Sequence, residues 1–152
     1  MIISEMLKVE NISTDLKAKN KPEILKELVG LVKSGNILDE EKFLKDFEQR
    51  EEAGSTALEN GLAIPHVRSE YIEKFTIGVA TNREGIDFDS IDGKKTKVFV
   101  VIASPMKERH LHLEALAKVA AILYNPTNVE VVSNSNSKEG IIDLISKLES
   151  VD

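Results

Sequence analysis

Three histidines, His66, His110 and His112, are the side chains of this sequence able to act as neutral nucleophiles or proton donors near pH 7. The chain has no cysteine, which excludes thiolate catalysis, thiolate metal sites and disulfides together. His66 closes the run Gly61-Leu62-Ala63-Ile64-Pro65-His66, a short apolar strand stopped by a proline. That places His66 at a strand end, where sheet proteins put their sites. On this local fact alone, a surface histidine after a turn is the simpler explanation. His110 and His112 open a helical stretch two positions apart, so they point to different faces. His112 stands one turn before Leu116 and is expected inward, with His110 outward. A helix start also presents free amide protons, which favour an anion nearby.

Other chemistries lack support. A three-histidine zinc site has no suitable ligand spacing, because His110 and His112 diverge on their helix. There is no G-x-S-x-G elbow for serine hydrolysis, and no G-x-G-x-x-G or Walker loop for a nucleotide.

The chain that must hold these residues has 152 of them, 41% hydrophobic and 30% charged, which suits one globular domain over residues 1–152. A net charge of −6 and a pI near 5.2 disfavour nucleic acid as a partner. No stretch approaches the apolar length of a membrane span, and the first residues lack the pattern of a signal peptide. A cytoplasmic protein without membrane insertion is expected.

Helical spacing runs over Pro22–Lys33 through Ile24, Leu25, Leu28, Val29 and Val32. Asp39 can cap a second helix, with Phe43, Leu44 and Phe47 inward, that ends near Arg50. Residues 53–60 read as a loop. Phe75–Thr81 is rich in strand formers, and Ile86-Asp87-Phe88 reads as a shorter strand before an Asp92-Gly93 turn. Val98–Ala103 is a continuous apolar run, the mark of a central strand covered on both faces. Leu111–Leu123 is helical, with Leu113, Leu116, Val119, Ala120 and Leu123 expected inward. Residues 127–133 fit either a strand or a short helix. Ser137 can cap a last helix carrying Ile141, Ile142, Leu144, Ile145 and Leu148. A buried strand among several helices implies an α/β fold, a three-layer α/β/α sandwich around a central mixed sheet.

The string Arg50-Glu51-Glu52-Ala53-Gly54-Ser55-Thr56 and its continuation to Ile64-Pro65-His66 add a resemblance. They resemble the active-site region of the enzyme IIA domains of the bacterial phosphoenolpyruvate-dependent sugar phosphotransferase system, fructose/mannitol type, which include nitrogen-regulatory relatives. The likeness continues through Arg68, Ile86-Asp87-Phe88, Asp92-Gly93, Ala103-Ser104-Pro105 and His112-Leu113-Glu114-Ala115-Leu116-Ala117-Lys118. It implies that His66 is the phosphoryl acceptor, His112 the second active-site histidine, and Arg50 the arginine that helps hold the phosphoryl group. Thr56 and Asn60 are the expected binding residues of the intervening loop, with Thr56 either adding a hydroxyl to the site or serving only as a residue that shapes the loop. The chain departs from the family pattern where Ala57 and Glu59 replace glycines and where Val67 replaces a small residue.

The resemblance further implies a phosphocarrier protein, HPr, as donor and an enzyme IIB domain as acceptor, in association with a membrane transporter. A regulatory role of the nitrogen type is the alternative it carries. The chemistry agrees: an imidazole nitrogen makes a labile N–P bond, and phosphoryl transfer needs positioning and charge more than a cofactor or metal. An arginine offers a planar cationic fork to phosphoryl oxygens.

Overall fold

The computed structural model describes residues 1–151. Its centre is strand β5 (Thr96–Ser104), in which every residue but Lys97 is buried. Strand parity sends Val98, Val100 and Ile102 to one face and Phe99, Val101 and Ala103 to the other. The two sets belong to separate apolar clusters. Helices α2 (Lys21–Leu31) and α3 (Glu40–Glu52) close the cluster of Phe99, Val101 and Ala103 with Ile24, Leu28, Phe43 and Phe47. The other is closed by α4 (Arg109–Leu123), α5 (Pro126–Ser133) and α6 (Lys138–Glu149), together with the single turn α1 (Ile3–Met6). The expected three-layer α/β/α arrangement is therefore present.

The sheet is mixed. In order it contains β1 (Ile12–Ser13), β4 (Thr76–Ile86), β5 and β2 (Leu62–Ala63), and β3 (His66–Arg68) also pairs with β5. β4 and β5 are antiparallel, whereas β1 on β4 and both β2 and β3 on β5 are parallel. β2 lies beside Val98 and Phe99, and β3 beside Ile102, Ala103 and Ser104. The two short strands are thus one line of chain interrupted at Ile64-Pro65. Pro65 cannot donate to the ladder, but its carbonyl still accepts from the Ile102 N–H at 3.0 Å. His66 consequently opens a new strand rather than ending the previous one.

Other elements depart from expectation for identifiable reasons. Ile86 does not start a separate strand; it continues β4 and pairs with Thr96 beyond a register shift that follows Thr81. Residues 127–133 are helical: Asn125 caps α5 by accepting from the Thr127 N–H, Pro126 fits the first turn, and Val129 and Val132 are buried. On α4 the inward face is His112, Ala115, Val119 and Leu123, while Leu113 is 51% exposed. Asp39 and Ser137 cap α3 and α6 as expected, accepting from the Lys42 and Gly140 N–H groups. Gly78 lets α2 approach the sheet closely, since a Cβ there would lie 2.9 Å from Val101 Cγ1 and 3.1 Å from Leu31 Cβ.

Candidate functional site

His66 and Arg68 share one face of β3, because alternate residues of a strand point the same way. Both line a cavity of about 720 Å³ together with Asp46, Gln49 and Arg50 of α3 and His112 of α4. The cavity lies at the C-terminal end of β5, between the two helix layers. Among the described residues, no three His, Asp or Glu side chains converge to hold a metal ion.

Within it, His66 Nδ1 lies 2.7 Å from the Ile64 carbonyl. A carbonyl only accepts, so Nδ1 carries the proton and Nε2 keeps its lone pair. The Arg50 Nε–H donates to that Nε2 at 3.2 Å, and Arg50 Nη1 donates to the Gly54 carbonyl at 2.9 Å. The guanidinium is thereby braced against the end of α3 while facing the free nitrogen. Burial holds the His66 pKa below its ordinary 6.5; the Ile64 carbonyl opposes that shift and the Arg50 charge reinforces it. The ring is neutral at pH 7 and its Nε2 is available as a nucleophile.

His112 reaches the same cavity from the first turn of α4. Its ring centroid is 5.4 Å from that of His66, with the planes inclined at 62°. Its Nδ1 lies 2.7 Å from Ser104 Oγ, and both residues are buried. Burial, followed by the charges of His66, Arg68 and Arg50, lowers the His112 pKa to about 4. His110 is exposed on the opposite side of the helix.

The loop between α3 and β2 is held by a buried carboxylate. Glu51 Oε2 accepts from the Thr56 N–H at 2.9 Å, and Oε1 accepts from the Thr56 hydroxyl at 2.6 Å. Lys21 Nζ pairs with the same Oε2 at 2.8 Å and also with Asp89 at 3.3 Å. Thr56 is buried and its polar atoms face Glu51, so the structure does not bring it to the cavity wall. Asn60 is likewise elsewhere. It forms, with Gly61, the tip of a tight turn in which both residues have positive φ (64° and 83°). There Leu58 N–H donates to the Leu62 carbonyl at 2.8 Å, and Asn60 N–H donates to Asp92 Oδ2 at 2.9 Å.

The departures from the motif are accommodated away from the histidines. Ala57 is buried and bridges Ala63, Glu59 sits in the turn, and Val67 points into the α2–α3 side of the core. Two polar residues beside the site were not singled out from the sequence for any role. Arg68 was signalled by its spacing of two from His66 on a strand. Ser104 lies in the matched string Ala103-Ser104-Pro105, but nothing in that string marks a role for it, since its partner lies on the next element.

Residues 5–148 match the family model described as the phosphoenolpyruvate-dependent sugar phosphotransferase system, EIIA 2. The chain belongs to this family. As an enzyme IIA domain it is 28% identical over 147 residues to the fructose-specific EIIA component of Haloferax volcanii, covering 96% of each chain. It is also 28% identical over 146 residues to a nitrogen regulatory protein of Bradyrhizobium diazoefficiens, covering 96% of this chain and 95% of that one. The fructose-specific EIIABC component of Bacillus subtilis is 27% identical over 97% of this chain, but the match spans only 23% of that longer protein. Among solved structures, the nitrogen regulatory protein IIA-Ntr of Neisseria meningitidis superposes with a TM-score of 0.86 at 27% identity, covering 95% of this chain and 99% of that one. The mannitol enzyme IIA of Escherichia coli, solved in complex with phosphorylated enzyme IIB, has a TM-score of 0.79 at 19% identity over 93% of this chain and 97% of that one. Enzyme IIA domains of this family are phosphotransferase components, and no helix among the described residues is long and apolar enough to cross a membrane.

Proposed function

We propose that this enzyme IIA domain carries a phosphoryl group on His66 Nε2, taken from the phosphorylated form of HPr and passed to an enzyme IIB domain. One observation carries the reading: His66 Nδ1 is committed to the Ile64 carbonyl, so the unprotonated Nε2 faces Arg50 and the cavity. The Nε2 lone pair attacks phosphorus, and the bond from phosphorus to the donor breaks with its electron pair leaving on the donor. Because Nε2 bears no proton and Nδ1 keeps its own, no general base is required. Arg50 turns its donors from Nε2 to the phosphoryl oxygens, Arg68 adds positive charge at the rim, and His112 contributes a neutral donor. Reversal against an enzyme IIB nucleophile completes the relay.

Support for enzyme IIB as acceptor comes from the relatives, one solved as a complex with it and one a fused EIIABC protein. Cytoplasmic placement beside a membrane transporter accompanies this reading. The alternative, in which the phosphorylation state of His66 controls other proteins, is favoured by the likeness to nitrogen regulatory proteins. The two share the first transfer and separate at the second. With phosphoenolpyruvate, enzyme I and HPr, the protein should gain an acid-labile, base-stable label that His66→Ala does not take up. Normal labelling of His66→Ala would refute the assignment. Onward transfer to an enzyme IIB supports transport, whereas a label retained in the presence of enzyme IIB domains supports regulation.

A further inference from the structure

Ser104 ends β5 inside the protein. Its side chain is fully buried, and among the described residues its hydroxyl has one hydrogen-bond partner, His112 Nδ1 at 2.7 Å. The Ser104 carbonyl is occupied separately, accepting from the Ser69 N–H at 2.9 Å. Two proton arrangements fit the Oγ–Nδ1 pair. If Nδ1–H donated to Oγ, the hydroxyl proton would be left buried with no acceptor, and Nε2 would face the cavity as a bare lone pair. If Oγ–H donates to Nδ1, the hydroxyl proton is used and no buried donor is orphaned. The second arrangement also leaves the proton on Nε2, the nitrogen free to meet a ligand in the cavity.

We infer that Ser104 is a positioning residue that holds His112 as the Nε2–H tautomer, so that it presents a neutral donor to phosphoryl oxygens beside His66. The two histidines are then fixed in opposite tautomers by different acceptor and donor groups. The Ile64 carbonyl demands a proton on His66 Nδ1 and frees its Nε2 to attack. The Ser104 hydroxyl donates a hydrogen bond to the unprotonated His112 Nδ1 and so keeps the ring proton on Nε2. A His112 in the other tautomer would aim a lone pair at an anionic group and repel it. The use of the donor rests on the phosphoryl-carrier reading, but the tautomer itself does not.

Long-range proton–nitrogen NMR of the unphosphorylated protein at neutral pH tests the assignment directly. His112 Nε2 should resonate as a protonated nitrogen, and Nδ1 as an unprotonated one displaced by accepting a hydrogen bond. In Ser104→Ala the Nδ1 resonance should lose that displacement, with label transfer slowed roughly threefold to tenfold, the scale of one hydrogen bond made in the transition state. Ser104→Thr, which keeps the hydroxyl, should restore both. A protonated Nδ1 in the unaltered protein, or a His112 spectrum unchanged in Ser104→Ala, would overturn the proposal. If the unaltered protein took no label at all, the carrier reading would fail while the nitrogen spectrum still decided the tautomer.

Discussion

Arg50 divides its donors in the resting protein, with Nε–H on the His66 lone pair and Nη1 on the Gly54 carbonyl. On the proposed reading, that arrangement guards the nucleophile and keeps a cation in place for the arriving oxygens. A lysine has one compact ammonium and cannot make both contacts with the same geometry. Arg50→Lys should therefore slow phosphoryl transfer by at least roughly tenfold, about one charged hydrogen bond in the transition state. An unchanged rate with unchanged stability would show a merely solvated arginine. The two neighbouring histidines should separate as cleanly: His112→Ala should fold and transfer poorly, and His110→Ala should match the unaltered protein, measured by label uptake and circular dichroism. Equal defects in both would contradict the burial of one and the exposure of the other. His66, Arg50 and His112, which share one cavity, could be singled out because each sits in a local string whose order carries information. Thr56 and Asn60 read as binding residues from the same string, yet their contacts are decided by Glu51 and by the Asn60-Gly61 turn. Ser104 was silent because a buried serine has no spacing that distinguishes packing from positioning.

At the scale of elements, the loop after α3 depends on the Glu51 carboxylate, which joins α3, Thr56 and the start of α2 through Lys21. The pairing faces inward at Phe43, Phe47 and Glu51, one turn apart on the same stripe. Thr56→Val removes the hydroxyl donor but keeps the shape. It should lower stability by about 1–2 kcal/mol in urea denaturation, because one buried carboxylate oxygen loses its partner. Transfer by the folded variant should change less than roughly threefold, a shift under 1 kcal/mol in the barrier. A fall beyond tenfold at unchanged stability would instead put the Thr56 hydroxyl on the phosphoryl group. Element type was readable where period or capping was strong, as in α2, α3 and α6. It was ambiguous at Val129-Glu130-Val131-Val132, where strand-forming residues are overridden by the Asn125 cap and by burial of Val129 and Val132. On α4 both His112 and Leu113 read as inward; His112 is buried, but Leu113 is 51% exposed because the buried stripe runs through His112, Ala115, Val119 and Leu123. The single turn α1 and the two-residue β1 are too short to leave a periodic trace.

For the whole molecule, closing the site between two helix layers has a consequence for stability against pH. His112 is 5% exposed and its pKa is lowered from 6.5 to about 4, while that of His66 is also lowered. Below the ordinary 6.5 the unfolded chain binds a proton at each histidine that the folded protein refuses. The histidine contribution to stability should thus fall as pH drops through 6.5 and level off only beneath the folded His112 value near 4. From pH 7 to pH 5, His112 alone should account for a loss of about 2 kcal/mol, an upper figure for full expression of the shift. The carboxyls of Asp92 and Glu130 are held low by their partners, and their contribution is lost at more acid pH, around and below their ordinary 3.8 and 4.5. The interval above pH 5 therefore isolates the histidines. Urea midpoints measured across it should show a steep decline for the unaltered protein and a shallower one for His112→Gln, which cannot take up the proton. Parallel curves for the two proteins would mean that His112 is protonated as readily in the folded state as in the unfolded chain, and that the cavity does not shield it.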